Sequence, residues 1–457
     1  MNPAVAAPSL ADELAAIVGD AHVSAAAAEL QSLAIDGVVP AAAVTPGSAE
    51  EVTAIIALAN QRGWCVAPHG GGAQQAIGNI PERIDVLLRT SRLTQVEHHD
   101  PGDLTIGVGA GMTLGELDRI VAEHGQMLPM DVLENDTRTV GGLLATAAQG
   151  PMRFACGTVR DHCIGIRFVA GDARRVKGGG RVVKNVAGYD LMKLLIGSYG
   201  TLGVITSASF KLAPRPRQTV TLAAGFPNSS AALACYEHVA SSPLTPMCLE
   251  LVSPHAKRFL RPAAAPVHPE DYTPPSGPTR STNWAVFVRA AGSDAVLARY
   301  RRDLGQTATR EISGPEENTL WRRVAALDAE AAARQRNAMV VQIAVTNTEV
   351  AGAIAAVEKT ATDYNFVSSI IGRMGAMIAV FSPLAVDPPS AMQYAGAASA
   401  LRAALPRSSV AIVTRCPLEA KRHFDVWGTP TSDLASMRAI KQKLDPNAIL
   451  NRGRFVV

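Results

Sequence analysis

The chain has 457 residues, 47% hydrophobic and 18% charged, with 43 Lys and Arg against 40 Asp and Glu for a formal net charge of +3. That length exceeds what one hydrophobic core organises, so at least two domains are expected, and the near balance of charge leaves no field to hold a polyanion, which excludes nucleic acid as a partner. The six cysteines form no CxxC pair, so no zinc or iron–sulfur cluster is encoded and they read as buried reduced thiols.

No basic and apolar leader opens the chain, and no run of about eighteen apolar residues occurs along it. A cytoplasmic protein is expected, at most peripheral to the inner face of a membrane. The first clear unit starts with a short extended piece at Val44–Pro46. Ser48 and Glu51 are then spaced as a capping box, and Val52, Ile55, Ile56 and Ala59 fall on one helical face. Gly63 ends that helix, Trp64 to Ala67 reads as a buried strand, and Pro68 leads into a loop of three glycines at 70–72. A second unit follows. Leu104, Ile106 and Val108 mark a strand, Thr113 and Glu116 cap a helix with Leu117, Ile120 and Val121 inward, Gly125 stops it, and Pro129 turns the chain. His98 and His99, beside Asp100, read as a solvated pair in a hydrophilic turn. Val140 to Ala145 opens a further helix whose small residues let backbone approach something closely.

From about Val220 the pattern changes to strand-like runs mixed with Ala-rich helical ones, a separate α+β unit. Within it, Arg261 to Asn283 carries alternating Pro and Gly with little apolar content and reads as a surface excursion. Neither a P-loop nor a GxGxxG fingerprint occurs. Gly70–Gly72 after a buried strand could offer a row of backbone N–H groups to a pyrophosphate, although a triple glycine alone is also an ordinary turn. A denser signal lies downstream, from Gly157, Thr158, Arg160 and Asp161 through Gly178–Gly180 to Gly197, Gly200 and Gly203; each glycine inside a helix costs about 1 kcal/mol against alanine, which argues for a non-helical role.

In order, these motifs are PxGGGx at 68–73, TVGG at 139–142, GTxRD at 157–161, and a block running from Gly179 through Lys184, Asn185, Gly188, Tyr189, Asp190 and Lys193 to Gly203, Val204 and Ile205. The set resembles the FAD-binding domain of the vanillyl alcohol oxidase/PCMH flavoprotein superfamily. The long block, with Trp427, Gly428, Asn451, Gly453, Arg454 and Phe455 near the C-terminus, is most like the E subunits of glycolate oxidase (glycolate dehydrogenase). The resemblance covers roughly 44–215 and 415–457. It implies an α+β fold: a PCMH-type, two-subdomain FAD-binding domain over 1–216, an α+β cap (substrate) domain over 217–414, and a segment 415–457 returning to the first domain.

By the same resemblance, Pro68, His69, Gly70, Gly71, Gly72, Ala73 and Gln74 form the pyrophosphate loop. Thr139, Val140, Gly141 and Gly142 lie against the flavin and its ribityl chain, and Gly157, Arg160 and Asp161 form a second phosphate-facing segment. Gly203, Val204 and Ile205 offer backbone hydrogen bonds, and Pro129, Thr146 and Asn451 complete the cofactor-binding set. Relatives with covalent flavin carry histidine where Ala73 stands, so FAD is expected to be non-covalent. The ending NRGR departs from the family's NPGR.

The implied activity is an oxidoreductase acting on CH–OH groups: glycolate to glyoxylate, with electrons passed to a partner iron–sulfur subunit beside a sister flavoprotein subunit. The hydroxy-acid dehydrogenases of the superfamily carry a His-rich GDGN segment in the cap, and nothing of that form occurs here. Oxidising a hydroxy acid takes a base, a cation for the carboxylate and a hydride acceptor in convergence. The sequence displays no such set, so a non-catalytic FAD-binding relay or scaffold subunit, and a free-standing oxidase of another alcohol, stay open. Arg322, Arg323, Arg334 and Arg336 are either cap cations facing the flavin or solvated helix charges. Tyr189, Asp190 and Lys193 read as a polar lock on the glycine-rich block, and Trp427 as an anchor for the returning C-terminal segment.

Overall fold

The computed structural model describes residues 8–131, 137–182, 189–261, 283–335, 337–373, 375–384, 387–428 and 433–456. Most of the Pro- and Gly-rich stretch, 262–282, and residues 183–188 of the glycine-rich block lie outside them. Two sheets build the N-terminal half. In the first, the order is Val23–Ser24, Ala42–Val44, Val86–Arg89, Val66–His69, with the last three strands parallel. Helix Ala49–Arg62 packs on it through Val52, Ile55, Ile56 and Ala59, the face the spacing indicates. The Ser48 hydroxyl accepts from the Glu51 N–H at 3.1 Å, but the Glu51 carboxylate accepts from Gly47 N–H at 2.7 Å rather than closing the box on Ser48. Gly63 ends the helix in the left-handed region at φ 67°, where an L side chain is strained.

The second sheet is antiparallel, in the order Val96–Asp100, Thr105–Gly109, Gly203–Lys211, Cys163–Ala170, Arg175–Gly179. Alternation points Ile106, Val108, Ile166, Phe168, Ala208 and Phe210 into one core with Leu117, Val121, Leu143 and Leu144 from the helices beneath. His98 and His99 therefore sit on a strand, not in a turn. Both ring nitrogens of His98 are buried without a partner, and His99 meets the His124 ring edge-on at 5.0 Å.

The C-terminal half is built on eight antiparallel strands in the order Arg310–Ile312, Thr219–Phe226, Trp284–Ala291, Cys248–Val252, Phe366–Arg373, Ala376–Pro383, Met339–Ala344, Val410–Arg415. Helices Ser229–Ser241, Asp294–Leu304, Val350–Asp363 and Ala391–Ala404 cover the face carrying Leu249, Leu251, Val341 and Phe381. The opposite face carries Cys248, Val252, Val340 and Ile371 and packs on Met152 of the N-terminal half. On that face Glu250, fully buried, pairs with the equally buried Arg373 at 3.0 Å. The end of the chain then returns. Val66 N–H donates to Ile449 O at 2.8 Å, Asn451 N–H donates to Val66 O at 2.9 Å, and the Lys441 ammonium donates to Thr201 O at 2.8 Å. Among the described residues no helix is long and apolar enough to cross a membrane.

Candidate functional site: a glycine-lined cleft and the cavity beside it

A cleft of about 800 Å³ opens where strand Val66–His69 ends, between the two N-terminal sheets and the returning C-terminal segment. Pro68 to Gln74 form one wall, Thr139, Gly141, Gly142 and Thr146 a second, Gly203 to Ile205 a third, and Asn451 closes it. Thus most of the residues expected to hold a cofactor meet in one place. The loop packs closely: a Cβ on Gly70 would lie 2.3 Å from Thr139 Oγ1, and one on Gly71 only 1.6 Å from Thr137 O. Only glycine lets the loop and the 137–139 stretch approach so far.

Five expected residues lie outside the cleft. Val140 is fully buried in the sheet core, and Pro129 sits away from the lining. Gly157, Arg160 and Asp161 do not line the cleft. The Asp161 carboxylate accepts from Thr158 N–H at 2.7 Å and from its hydroxyl at 3.0 Å, which holds its pKa below the ordinary value, and Arg160 is exposed and donates to Ile196 O at 3.2 Å. The GTxRD pattern here is a capping box on the short helix Val159–His162.

The cleft has the donors that a dinucleotide's phosphates need. The backbone N–H groups of Gly70 to Gln74 donate to no acceptor among the described residues, and the buried Gln74 Oε1 also has no partner. Gly71 and Gly72 are exposed and the rest of the loop is half-buried, so this consecutive run of N–H groups is accessible from the cleft, the kind of backbone concavity that stabilises an anion. The donors and close-packed backbone of this cleft fit FAD. No lysine or arginine side chain is needed to recognise the phosphates. His69 lines the same wall; burial, with Arg89 nearby, pushes its pKa below the ordinary value and favours the neutral ring.

Gln75, Ile77, Thr90, Arg138, Ala145, Tyr199, Gly200 and Arg454 complete the lining and were not among the expected residues. Tyr199 had a signal: it falls in the GSYG segment, at φ 52°, and its ring meets Trp427 at 4.7 Å and Phe455 at 5.5 Å. Burial pushes its phenol up to about 12, so it stays protonated. Trp427 donates from Nε1 to Arg454 O at 2.9 Å, and its ring meets Phe455 at 4.7 Å, the anchor expected of it. Tyr189 is no lock: it is 91% exposed, although Asp190 and Lys193 do pair at 2.6 Å.

A second, tighter cavity adjoins the cleft and shares Gln74, Ile77, Arg138, Thr146 and Tyr199 with it. Gln149 adds to its lining from the N-terminal half, and Gln342, Ile378, Ala325 and Asp328 from the C-terminal half. Gln342 and Ile378 come from neighbouring strands of the eight-stranded sheet. Asp328 lies in the first turn of helix Leu327–Arg334 and has no hydrogen bond or ion pair among the described residues. None of the described cap arginines read as flavin-facing candidates lines this cavity. Arg322 is exposed, Arg323 donates to Leu260 O at 3.2 Å, Arg334 pairs with Glu330 at 2.8 Å, and Arg336 lies outside the described residues. The cation and the carboxylate that reach the cavity are instead Arg138 and Asp328.

Residues 40–179 match the family model for the FAD binding domain, and 215–404 with 428–455 match that for FAD linked oxidases, C-terminal domain. A D-lactate dehydrogenase of Archaeoglobus fulgidus is 38% identical over 213 residues, 47% of each chain. The glycolate oxidase subunit GlcE of Escherichia coli K12 is 41% identical over 128 residues, 28% of this chain and 37% of that subunit. These two matches span less than half the length of those two relatives. The structure of p-cresol methylhydroxylase superposes with a TM-score of 0.75 over 97% of this chain and 95% of that one at 16% identity, a likeness of fold.

Proposed function

Since the chain belongs to the PCMH-type FAD-binding superfamily of FAD-linked oxidases, we propose that it oxidises a small 2-hydroxy acid, with glycolate as substrate and glyoxylate as product. In this reading it is the FAD-binding subunit of a glycolate oxidase-type complex, working beside a sister flavoprotein subunit and passing electrons to an iron–sulfur subunit, in the cytoplasm or against the inner membrane face. The domain division at 216 and 414 belongs to the same reading, as does the assignment of Pro68–Gln74, Thr139, Gly141, Gly142, Thr146, Gly203–Ile205 and Asn451 to FAD. Ala73 offers no side-chain nucleophile, in keeping with non-covalent flavin.

The observation that supports this most is the polar cavity adjoining the cofactor cleft and bounded by both halves of the chain. Bound FAD would supply a hydride acceptor there. The missing GDGN segment favours a second reading, a relay or scaffold subunit that holds FAD while a sister flavoprotein does the chemistry. Anaerobic addition of glycolate and of D-lactate to the flavin-loaded chain separates the two. Bleaching of the visible flavin band by either acid is expected; a band that stays oxidised with both would leave the relay reading standing and remove the catalytic one.

A further inference from the structure

We infer that the cavity beside the cleft is this chain's own substrate site, in which Arg138 holds the carboxylate of a 2-hydroxy acid and Asp328 takes the proton from its hydroxyl, with no metal ion. The inference rests on the proposed hydroxy-acid oxidation and replaces the His-rich segment absent from the cap with a different pair of residues.

Three observations carry it. First, the cavity adjoins the cofactor cleft, sharing Arg138 and Gln74 with it, so a small ligand there is next to whatever the cleft holds. Second, its lining has the groups such a ligand requires: a guanidinium for the carboxylate, a carboxylate for the hydroxyl proton, and the amides of Gln74, Gln149 and Gln342 for the remaining oxygen lone pairs. The Gln149 carbonyl already accepts from the Arg153 guanidinium, which fixes how that amide is turned. Gln74 Oε1 is buried and has no partner among the described residues. Third, Asp328 is half-buried and makes no ion pair among the described residues, whereas the fully buried Glu250, Glu317 and Asp445 are each matched to a cation. Among the described residues no group of three or more His, Cys, Asp and Glu is placed to hold a metal ion.

The chemistry balances without another reactant. The substrate's O–H proton passes to Asp328 and the C–O bond becomes the carbonyl of a 2-oxo acid; bound FAD would supply the acceptor for the C2 hydrogen and its electron pair. Arg138 stays charged throughout and neutralises the carboxylate that would otherwise face Asp328.

Oxamate tests the site by binding alone, because it carries a carboxylate and a neutral amide but no oxidisable C–H bond. The probe is titrated into flavin-loaded wild type, Arg138→Gln, Arg138→Lys and Asp328→Asn, followed by the flavin difference spectrum, with flavin content measured for each. Arg138→Gln should weaken oxamate binding roughly 10- to 100-fold, and Arg138→Lys should recover part of it, as expected for loss of a charge-assisted pair. Asp328→Asn should bind oxamate within about threefold of wild type yet slow anaerobic bleaching by glycolate or D-lactate by at least about 100-fold, the size of a general-base contribution. A merely structural Asp328 would move both readouts or neither. Unchanged oxamate affinity in Arg138→Gln, loss of flavin from both Arg138 variants, or bleaching of Asp328→Asn at the wild-type rate overturns the assignment. Wild type that holds flavin and bleaches with neither acid removes the oxidation reading on which it rests, so the two failures are distinct.

Discussion

The two sides of the composite site are made in different ways. The cofactor side is made of backbone: a glycine loop at 70–72, a second close approach at 139–142, and strand residues 203–205, all offering main-chain groups. The cap side is made of side chains, Gln342 and Ile378 on a sheet face and Asp328 on a helix, brought into place by antiparallel pairing across distant parts of the chain. A backbone site tolerates change in most side chains but not an added Cβ at a contact point. A side-chain site keeps its frame through substitution but loses its chemistry.

The largest effect is expected at Gly71. Its Cβ would sit 1.6 Å from Thr137 O, so Gly71→Ala must push the loop and the 137–139 stretch apart. Flavin retention should be abolished while circular dichroism stays close to wild type; a Gly71→Ala protein with stoichiometric flavin would show that the loop does not hold the cofactor. On the cap side, Glu250→Gln leaves the Arg373 guanidinium buried without its partner, and a broken buried pair typically costs about 3–5 kcal/mol. Urea unfolding should show that loss, with flavin content per folded molecule unchanged; a drop in flavin content instead would mean that the cap frame and the cleft are not separable.

A smaller, pH-dependent effect is expected at Asp131, between the two regions. Its Oδ1 accepts from Met152 N–H at 2.8 Å, its Oδ2 is buried without a partner, and burial pushes its carboxyl up from 3.8 to about 7. Between those values the folded chain keeps a proton that the unfolded chain has lost, so stability should fall as pH rises through that window and level off above it. One linked proton corresponds to at most about 1.4 kcal/mol per pH unit. Asp131→Asn should flatten the slope in thermal melts from pH 4 to 8; an unchanged slope would assign the pH dependence elsewhere. The smallest effect is Ser48→Ala, which removes the hydroxyl capping helix Ala49–Arg62 and should cost about 1 kcal/mol in chemical denaturation without touching flavin content.

The same contrast explains what the sequence made legible. Backbone sites leave glycines in fixed order, so the 68–74 loop, Gly141, Gly142 and Gly203 could be read one by one, and the capped helices from Ser48 and Thr113 could be placed from short-range spacing. Local chemistry also misled: GTxRD has the residue types of an anion site but spends its Asp161 on a capping box. Arg138 carries no pattern of its own, one residue before TVGG, and it enters both cavities only through the packing of the 137–139 stretch on the glycine loop. Asp328 was invisible for a different reason. Its neighbours Arg322, Arg323 and Arg334 are the more conspicuous charges, but the bend at Ala326 between two helices turns Ala325 and Asp328, not the arginines, to the cavity. Sheet order decides which cap residues meet the cleft, and eight-stranded order is not encoded in any local period.

The most direct measurement is the visible spectrum of the purified chain, reconstituted with FAD where needed, followed by acid precipitation. One flavin per chain, released into the supernatant, is the expected result for a backbone cradle with alanine at 73. A chain that binds no flavin after reconstitution would contradict the assignment of the glycine-lined cleft to FAD.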